Sequence, residues 1–262
     1  MRYEVHQAAG TFSDTHIGTS DMRPKIICHM VTSIDGRLHP SRFTSPASGI
    51  DPARLRRHYD ETAAHFQSEG WIVGRTTMQE IVKKTTQTTG SGGTDPRQTH
   101  LGDRKGRPLA VAIDPHGKVR YGQDHVLGDH AVAVLGEHVS DAYLAELRAD
   151  GVSYVFAGPE GDDLPTAMDM LGSAFDVKVL LLEGGARTNG MFLKQGMLDE
   201  ISVLIQPAVD GLTGVPSIFE YPGVSDERPG AGQSLRHLTT ETLEGGTVWL
   251  RYAVERHSAA SR

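Results

Sequence analysis

Short apolar runs alternate with stretches of helical periodicity along almost the whole chain, and this alternation limits the fold more than any other feature of the sequence. The runs KIICHMVTS (25–33), WIVG (71–74), PLAVAID (108–114), HAVAVLG (130–136), VSYVFAG (152–158) and DVKVLLLEGG (176–185) are short and rich in Ile, Val and Leu, so they read as buried strands. Between them, DPARLRRHYDETAAHFQ (51–67), TTMQEIVKK (76–84), DAYLAELRADG (141–151), LPTAMDMLGSAF (164–175) and ARTNGMFLKQG (186–196) read as helices. Asp51 and Ser140 are natural N-caps, and Pro52 suits a first helical turn. LDEISVLIQPAV (198–209) and GTVWLRYAVER (246–256) add two strands without a helix between them, which predicts an antiparallel edge. The pattern predicts an α/β fold: a central, mixed but mostly parallel sheet of about eight or nine strands with flanking helices on both faces.

The alternation runs without a credible linker, so residues 24–257 are expected to form one domain, with an N-terminal arm over 1–23 and a C-terminal tail over 258–262. Residues 85–107, rich in Thr, Gly and charge, and residues 210–234, rich in Gly and Pro, read as long loops. Cys28 is the only cysteine, which leaves no internal disulfide and no multi-cysteine zinc site and fits a reducing cytoplasm. No apolar run approaches the roughly 20 residues of a membrane span, and MRYEVHQAAGTFSD lacks the apolar segment of a signal peptide. A formal charge of −7 argues against a nucleic-acid groove, so the expected partner is a small-molecule substrate.

Three junctions can carry chemistry. In LLLEGGARTNG (180–190) a buried strand passes through two glycines into a helix, where a phosphate can approach the backbone and the first-turn amides. The same pattern also serves close strand–helix packing, and it is not the GxGxxG fingerprint of a Rossmann domain. WIVGRTTMQEI (71–81) repeats the arrangement, with Thr76 or Thr77 able to cap the helix and Arg75 able to add charge. An ordinary capped helix with a solvent-facing arginine fits equally, but two such junctions suit a dinucleotide better than one. In VTSIDG (31–36), Asp35 can donate or relay a proton and Ser33 can bond a substrate, or the two can merely shape an Asx-turn. The chain has no HExxH, GxSxG or Walker A motif, and His58 and His65 read as a half-buried helix face, so no metal is expected.

Taken together, VTSIDGRL, WIVGRTTM, PLAVAIDP and LLLEGGARTNGMFLKQGMLDEISVLIQP resemble the pyrimidine reductases of riboflavin biosynthesis, over about residues 24–256. That family includes the C-terminal half of a bacterial deaminase–reductase and stand-alone archaeal and fungal reductases. It shares the dihydrofolate-reductase-like fold, whose Gly-Arg-x-Thr helix start is similar to Gly74-Arg75-Thr76-Thr77. The resemblance implies a homodimer and a bound NADPH across the carboxyl ends of the strands. Gly74, Arg75, Thr76 and Thr77 would hold one phosphate region, and Gly184, Gly185, Ala186 and Arg187 the pyrophosphate. Asp114 would approach the adenosine ribose, with Val155 and Gly158 beside the adenine or ribose. A carboxylate at Asp114 would repel a 2′-phosphate unless Lys118 or Arg120 compensates, which keeps NADH open.

The implied reaction is hydride transfer to the ribosyl C1 of a ribosylaminopyrimidine, 5-amino-6-(5-phosphoribosylamino)uracil or its 2,5-diamino analogue. Asp35 and Ser33 would contact substrate, and Glu183 would be a polar group near the nicotinamide or a cap on the following amides. The chain departs from the pattern at Ile81, at His65-Phe66, and at Asp95-Pro96, displaced by an insertion. It also lacks the HxE and PCxxC zinc signature of the deaminase half. Reduction of another heterocycle or carbonyl compound, or nucleotide binding without catalysis, remains an alternative on the same fold.

Overall fold

The computed structural model describes residues 23–83 and 97–257. The arm expected over 1–23 (but for its last residue), Asp95-Pro96 and the tail from 258 lie outside the described residues, as does all of the 85–107 loop before residue 97.

The strands are β1 (Lys25–Thr32), β2 (Gly70–Gly74), β3 (Leu109–Ile113), β4 (His125–Val126), β5 (Asp129–Leu135), β6 (Ser153–Phe156), β7 (Val179–Leu182), β8 (Glu200–Ile205), β9 (Gln233–Thr242) and β10 (Val248–Arg256). The helices are α1 (Pro52–Ala64), α2 (Arg75–Val82), α3 (Asp141–Asp150), α4 (Leu164–Phe175) and α5 (Ala186–Lys194). All the strands join one sheet in the order β4-β5-β3-β2-β7-β1-β8-β10-β9, with β6 also paired to β5. From β6 through β5, β3, β2, β7 and β1 to β8 every pairing is parallel. The expected antiparallel edge is present, because β10 turns back along β8 and β9 along β10.

The sheet has ten strands, two more than the eight runs that read as strands. The two-residue β4 is too short to show periodicity, and β9 is an edge strand half-buried at best along its length. A strand exposed on both faces has no apolar alternation to read.

The order of strands dictates which face each helix covers. From β1 the chain steps through β2, β3, β5 and β6 toward one edge, then returns to place β7 between β2 and β1 and β8 beyond β1. Right-handed crossovers therefore put α1, α2 and α3 on one face and α4 and α5 on the other. The packing agrees. Met78, Tyr143, Leu144 and Leu147 from α2 and α3 pack with Val73, Ala110 and Ala112, while Leu164, Met168, Phe175 and Phe192 from α4 and α5 pack with Ile26, Ile72 and Val111. On the α1 face of β1, His29 stacks with Tyr59 at 4.6 Å between ring centres. His29 bonds Ser202 at 2.9 Å, and Ser202 also accepts the Trp249 indole N–H at 2.8 Å. Burial lowers the His29 pKa to about 4, so this imidazole is a neutral spacer that fixes α1 on the sheet.

Adjacent strands β2 and β7 thus send their following helices to opposite faces. This is the topological switch point, where an open α/β sheet leaves a crevice at its carboxyl edge.

Candidate functional site

Two helix N-termini open onto that crevice, and neither is closed by a side chain. Helix α2 starts from Gly74 and α5 from Gly185, with no side-chain cap on either. The other three helices are capped by Asp51, Ser140 and Asp163. A cap satisfies one of the orphan amides of the first turn and stabilises a helix by about 1 kcal/mol. Its absence at the two adjacent helices leaves amide donors for an external anion. The threonines expected to cap α2 do not: Thr76 and Thr77 lie inside its first turn.

The junctions are interlocked. The Gly74 amide donates to the Gly184 carbonyl at 2.7 Å, and the Gly184–Gly185 peptide is cis. A side chain at Gly74 would press into the Thr188 hydroxyl, so glycine lets the two helix starts come this close without displacing it. At Gly185 the position of an added Cβ lies 3.8 Å from the Thr77 hydroxyl oxygen, so the space between the helix starts is open enough for one methyl group. Ala186 is buried at the head of α5, whereas Arg75, Thr76 and Arg187 face solvent around the opening. This cradle of backbone amides, a hydroxyl and two guanidinium groups matches the donor set that a pyrophosphate needs.

On the α1 side of the same carboxyl edge lies a cavity of about 380 Å³, formed by α1, the 40–46 loop and the segment after β8. Its walls include Val31, Phe43, Leu55, Tyr59 and Gln206. Tyr59 connects this cavity to Glu183, at the carboxyl end of β7. Its hydroxyl donates to the His29 carbonyl at 3.2 Å and lies near the Glu183 carboxyl. Burial pushes the Glu183 carboxyl up to about 7, with Asp60 and Asp129 adding to the rise and the nearby Tyr59 hydroxyl opposing it. A carboxyl poised there holds or releases a proton near neutrality, as acid–base chemistry requires.

The loop after β1 is differently employed. The Asp35 carboxylate accepts from the Ser33 hydroxyl at 2.7 Å, the Asp210 amide at 3.1 Å and the Gly211 amide at 2.9 Å. These bonds, led by Ser33, hold its carboxyl well below the usual carboxylate range. A group so firmly ionised is a poor proton donor, and its geometry is that of a clamp between two loops. Ser33 is 1% exposed, bonds Asp35 and accepts the Arg37 amide, and neither Ser33 nor Asp35 lines the cavity. The Asx-turn reading of this loop describes the geometry better than direct substrate contact does. Asp35→Asn is expected to make the 207–215 segment more susceptible to limited proteolysis while kcat changes less than about threefold, since a clamp acts on loop order rather than on a reacting atom.

At the adenosine end three expectations are corrected. Asp114 is fully buried; one of its oxygens accepts the Lys118 and Val119 amides at 2.6 and 2.7 Å, so it folds its own loop and faces no ribose. Burial raises its carboxyl to about 6. Arg120 is also buried, bonding the Gly117 and Val119 carbonyls and lying 4.5 Å over the Tyr143 ring, so it cannot compensate a ligand phosphate. Val155 points into the core beneath α4 and touches no crevice. Gly158 and the exposed Lys118 do stand at the carboxyl edge, and Gln79 of α2 bonds the Lys118 carbonyl at 2.9 Å, which places Lys118 beside the Arg75 end of that helix.

The sequence reading singled out neither the cavity nor the Tyr59 link to Glu183. Tyr59 was visible only as one position of an apolar helix face, and nothing in that spacing shows that its hydroxyl reaches across to a strand end.

The model of the RibD C-terminal domain matches residues 24–249. The chain is 27% identical over 220 residues to the 2,5-diamino-6-ribosylamino-4(3H)-pyrimidinone 5′-phosphate reductase of Methanothermobacter thermautotrophicus, covering 78% of this chain and 88% of that protein. Among solved structures it is similar to a pyrimidine reductase-like protein of Corynebacterium diphtheriae, with a TM-score of 0.62, 16% identity, and 89% and 92% of the two chains covered. It is also similar to the riboflavin biosynthesis reductase of Saccharomyces cerevisiae, with a TM-score of 0.54, 14% identity, and 91% and 93% covered.

Proposed function

Since the chain belongs to the RibD C-terminal domain family, we propose that it is an NADPH-dependent reductase that acts at the ribosyl C1 of a ribosylaminopyrimidine in riboflavin biosynthesis. The observation that carries this reading is the pair of facing, uncapped helix starts at Gly74 and Gly185, beside a cavity that shares Tyr59 with a carboxyl poised near neutrality. Bound NADPH would supply the hydride.

The chain's own residues divide the remaining work. The first-turn amides of α2 and α5, with Thr77, hold the dinucleotide's phosphates. Arg75 and Lys118 face solvent at the adenosine side, where a 2′-phosphate would add two negative charges. Asp114 is turned inward onto the amides of its own loop. The apolar walls around Val31, Phe43 and Leu55 exclude water from the reacting carbon. Glu183 in its protonated form delivers a proton to the ring oxygen or imine as the sugar opens, and Tyr59 orients that carboxyl. The exposed cations Arg75 and Lys118 favour NADPH over NADH, and a homodimer belongs to the same reading.

Incubating the full chain with the ribosylaminopyrimidine 5′-phosphate and NADPH tests the activity: consumption of NADPH matched by a ribityl product supports it, and no turnover contradicts it. The cofactor preference has its own check. Replacing both Arg75 and Lys118 by Gln is expected to raise the Kd for NADPH by about 30- to 900-fold and leave that for NADH within about twofold, since each charge-assisted contact contributes roughly 1–2 kcal/mol. Equal losses for the two nucleotides would remove these residues from 2′-phosphate recognition.

A further inference from the structure

We infer that His116, its proton placed by His138, reads the base of the bound dinucleotide, so that this chain selects adenine over oxopurine nucleotides. This rests on the dinucleotide site proposed above and adds to it a base-specific contact.

The loops after β3, β5 and β6 follow one another along the carboxyl edge and are joined through their backbones. The Gly136 amide donates to the Pro115 carbonyl at 2.9 Å, and the Glu137 amide to the Gly158 carbonyl at 3.1 Å. Two exposed histidines stand on this joined surface, His116 after β3 and His138 after β5. Neighbouring strands lie about 4.8 Å apart, so the end of β5 is roughly 10 Å from the end of β2, where α2 starts. That interval is about the reach of a nucleoside from its 5′-phosphate. His116 is separated only by Gly117 from Lys118, the exposed cation of the adenosine side.

The hydrogen bonds dictate where the protons sit. The His138 Nδ1 lies 2.9 Å from the Pro159 carbonyl, which can only accept, so this nitrogen carries a proton. In neutral His138 the Nε2 is therefore an acceptor, and it lies 2.8 Å from the His116 Nδ1. His116 donates from Nδ1, which leaves its Nε2 as a bare lone pair. Among the described residues no donor meets that lone pair. The ring centres are 5.0 Å apart, so the imidazoles join edge to edge along this bond rather than stacking. Both rings are held in place. A side chain on Gly136 would press into the His138 ring, and the Asp114 carboxylate ties down the amides of residues 118 and 119 beyond His116.

A fixed exposed acceptor distinguishes purines by one group. Adenine presents an amino donor at C6, whereas guanine and hypoxanthine present a carbonyl oxygen there. The His116 lone pair attracts the first and repels the second. An imidazole free to exchange tautomers would accommodate either base, so the relay from Pro159 through His138 is what makes His116 selective.

NADPH and its deamino analogue, with hypoxanthine in place of adenine, differ in the base alone. Titrations of the full chain followed by nicotinamide fluorescence at about pH 8.5, where free imidazoles are neutral, are expected to give a Kd about 5- to 20-fold higher for the deamino form. His116→Ala is expected to bring the two Kd values within about twofold of each other. His138→Ala keeps the reading residue but frees its tautomer, and is expected to cut the ratio below about threefold. Both positions are exposed, so the fold is retained, and a merely structural role would weaken both nucleotides alike. Equal binding of the two nucleotides by the wild-type chain, or an unchanged ratio in His116→Ala, would overturn the assignment while leaving the dinucleotide site standing. An unchanged ratio in His138→Ala would overturn the relay. Binding of neither nucleotide by the wild-type chain would remove the dinucleotide site and this assignment together.

Discussion

Glu183→Gln is expected to lower kcat by about 10²- to 10⁴-fold while the Kd for NADPH stays within about threefold. The replacement keeps the size and the hydrogen-bonding amide but removes the transferable proton, so a purely structural role for Glu183 would leave kcat nearly intact. The pH profile adds a second readout. Glu183 is raised to about 7 by burial, so it is protonated below that pH and ionised above it. If its protonated form gives the proton, kcat/KM is level on the acid side and falls by about tenfold per pH unit above neutrality. The Gln variant has no such group and is expected to show a low rate without that limb. Asp35 contributes no limb near neutrality, because its bonds to Ser33, Asp210 and Gly211 keep it ionised throughout this range. Persistence of the alkaline limb in Glu183→Gln would assign the titration to another group. The assay reports kcat/KM across pH for both proteins with the same substrate.

Gly185→Ala is expected to weaken NADPH binding by about 100-fold or more. The backbone at Gly185 has a φ of −69°, so no left-handed conformation demands glycine there. An added Cβ meets Thr77 at 3.8 Å, an ordinary contact, so the protein itself tolerates the methyl group. The methyl group instead occupies the space between the starts of α2 and α5, where a phosphate must approach the amides within hydrogen-bonding distance. The closest control is Gly190→Ala on the same helix. There the added Cβ collides with the Glu220 carbonyl, because residues 218–221 pack directly on α5 through the Asn189 side chain and the Ala186 carbonyl. That variant should lose thermal stability as well as binding, whereas Gly185→Ala should lose binding with its Tm nearly unchanged. Circular dichroism melts beside the NADPH titrations separate the two cases.

The elements legible in the sequence were those with a buried face. The runs at 71–74, 108–114 and 176–185 became central strands because each is enclosed on both sides, and burial is what apolar composition records. Asp51 and Ser140 capped their helices as expected, since a cap is a local bond between near neighbours. β9 escaped because an exposed edge strand is defined by its pairing with β10 rather than by its own side chains.

The site divides along the same line. The glycine junctions at 74 and 184–185 were visible because a strand–glycine–helix passage is local. The orientation of a polar side chain was not, since it is settled by tertiary partners. Asp114 sits at a strand end, as expected, yet turns inward to the amides of residues 118 and 119. Arg120 is drawn under Tyr143, and Val155 falls on the inner face of β6 because strand parity, not proximity to the edge, decides which way it points. Ser33 and Asp35 are polar residues at the carboxyl edge whose bonding capacity is consumed by the loop around them. Tyr59 gained meaning only when α1 was placed over the end of β1.

The central claim is that the facing helix starts at Gly74 and Gly185 form a dinucleotide site. Titrating the full chain with NADPH while following nicotinamide fluorescence tests it most directly. Saturable binding with a Kd in the micromolar range is expected, with weaker binding of NADH and loss of both in Gly185→Ala. No binding of either nucleotide by the wild-type chain would contradict it.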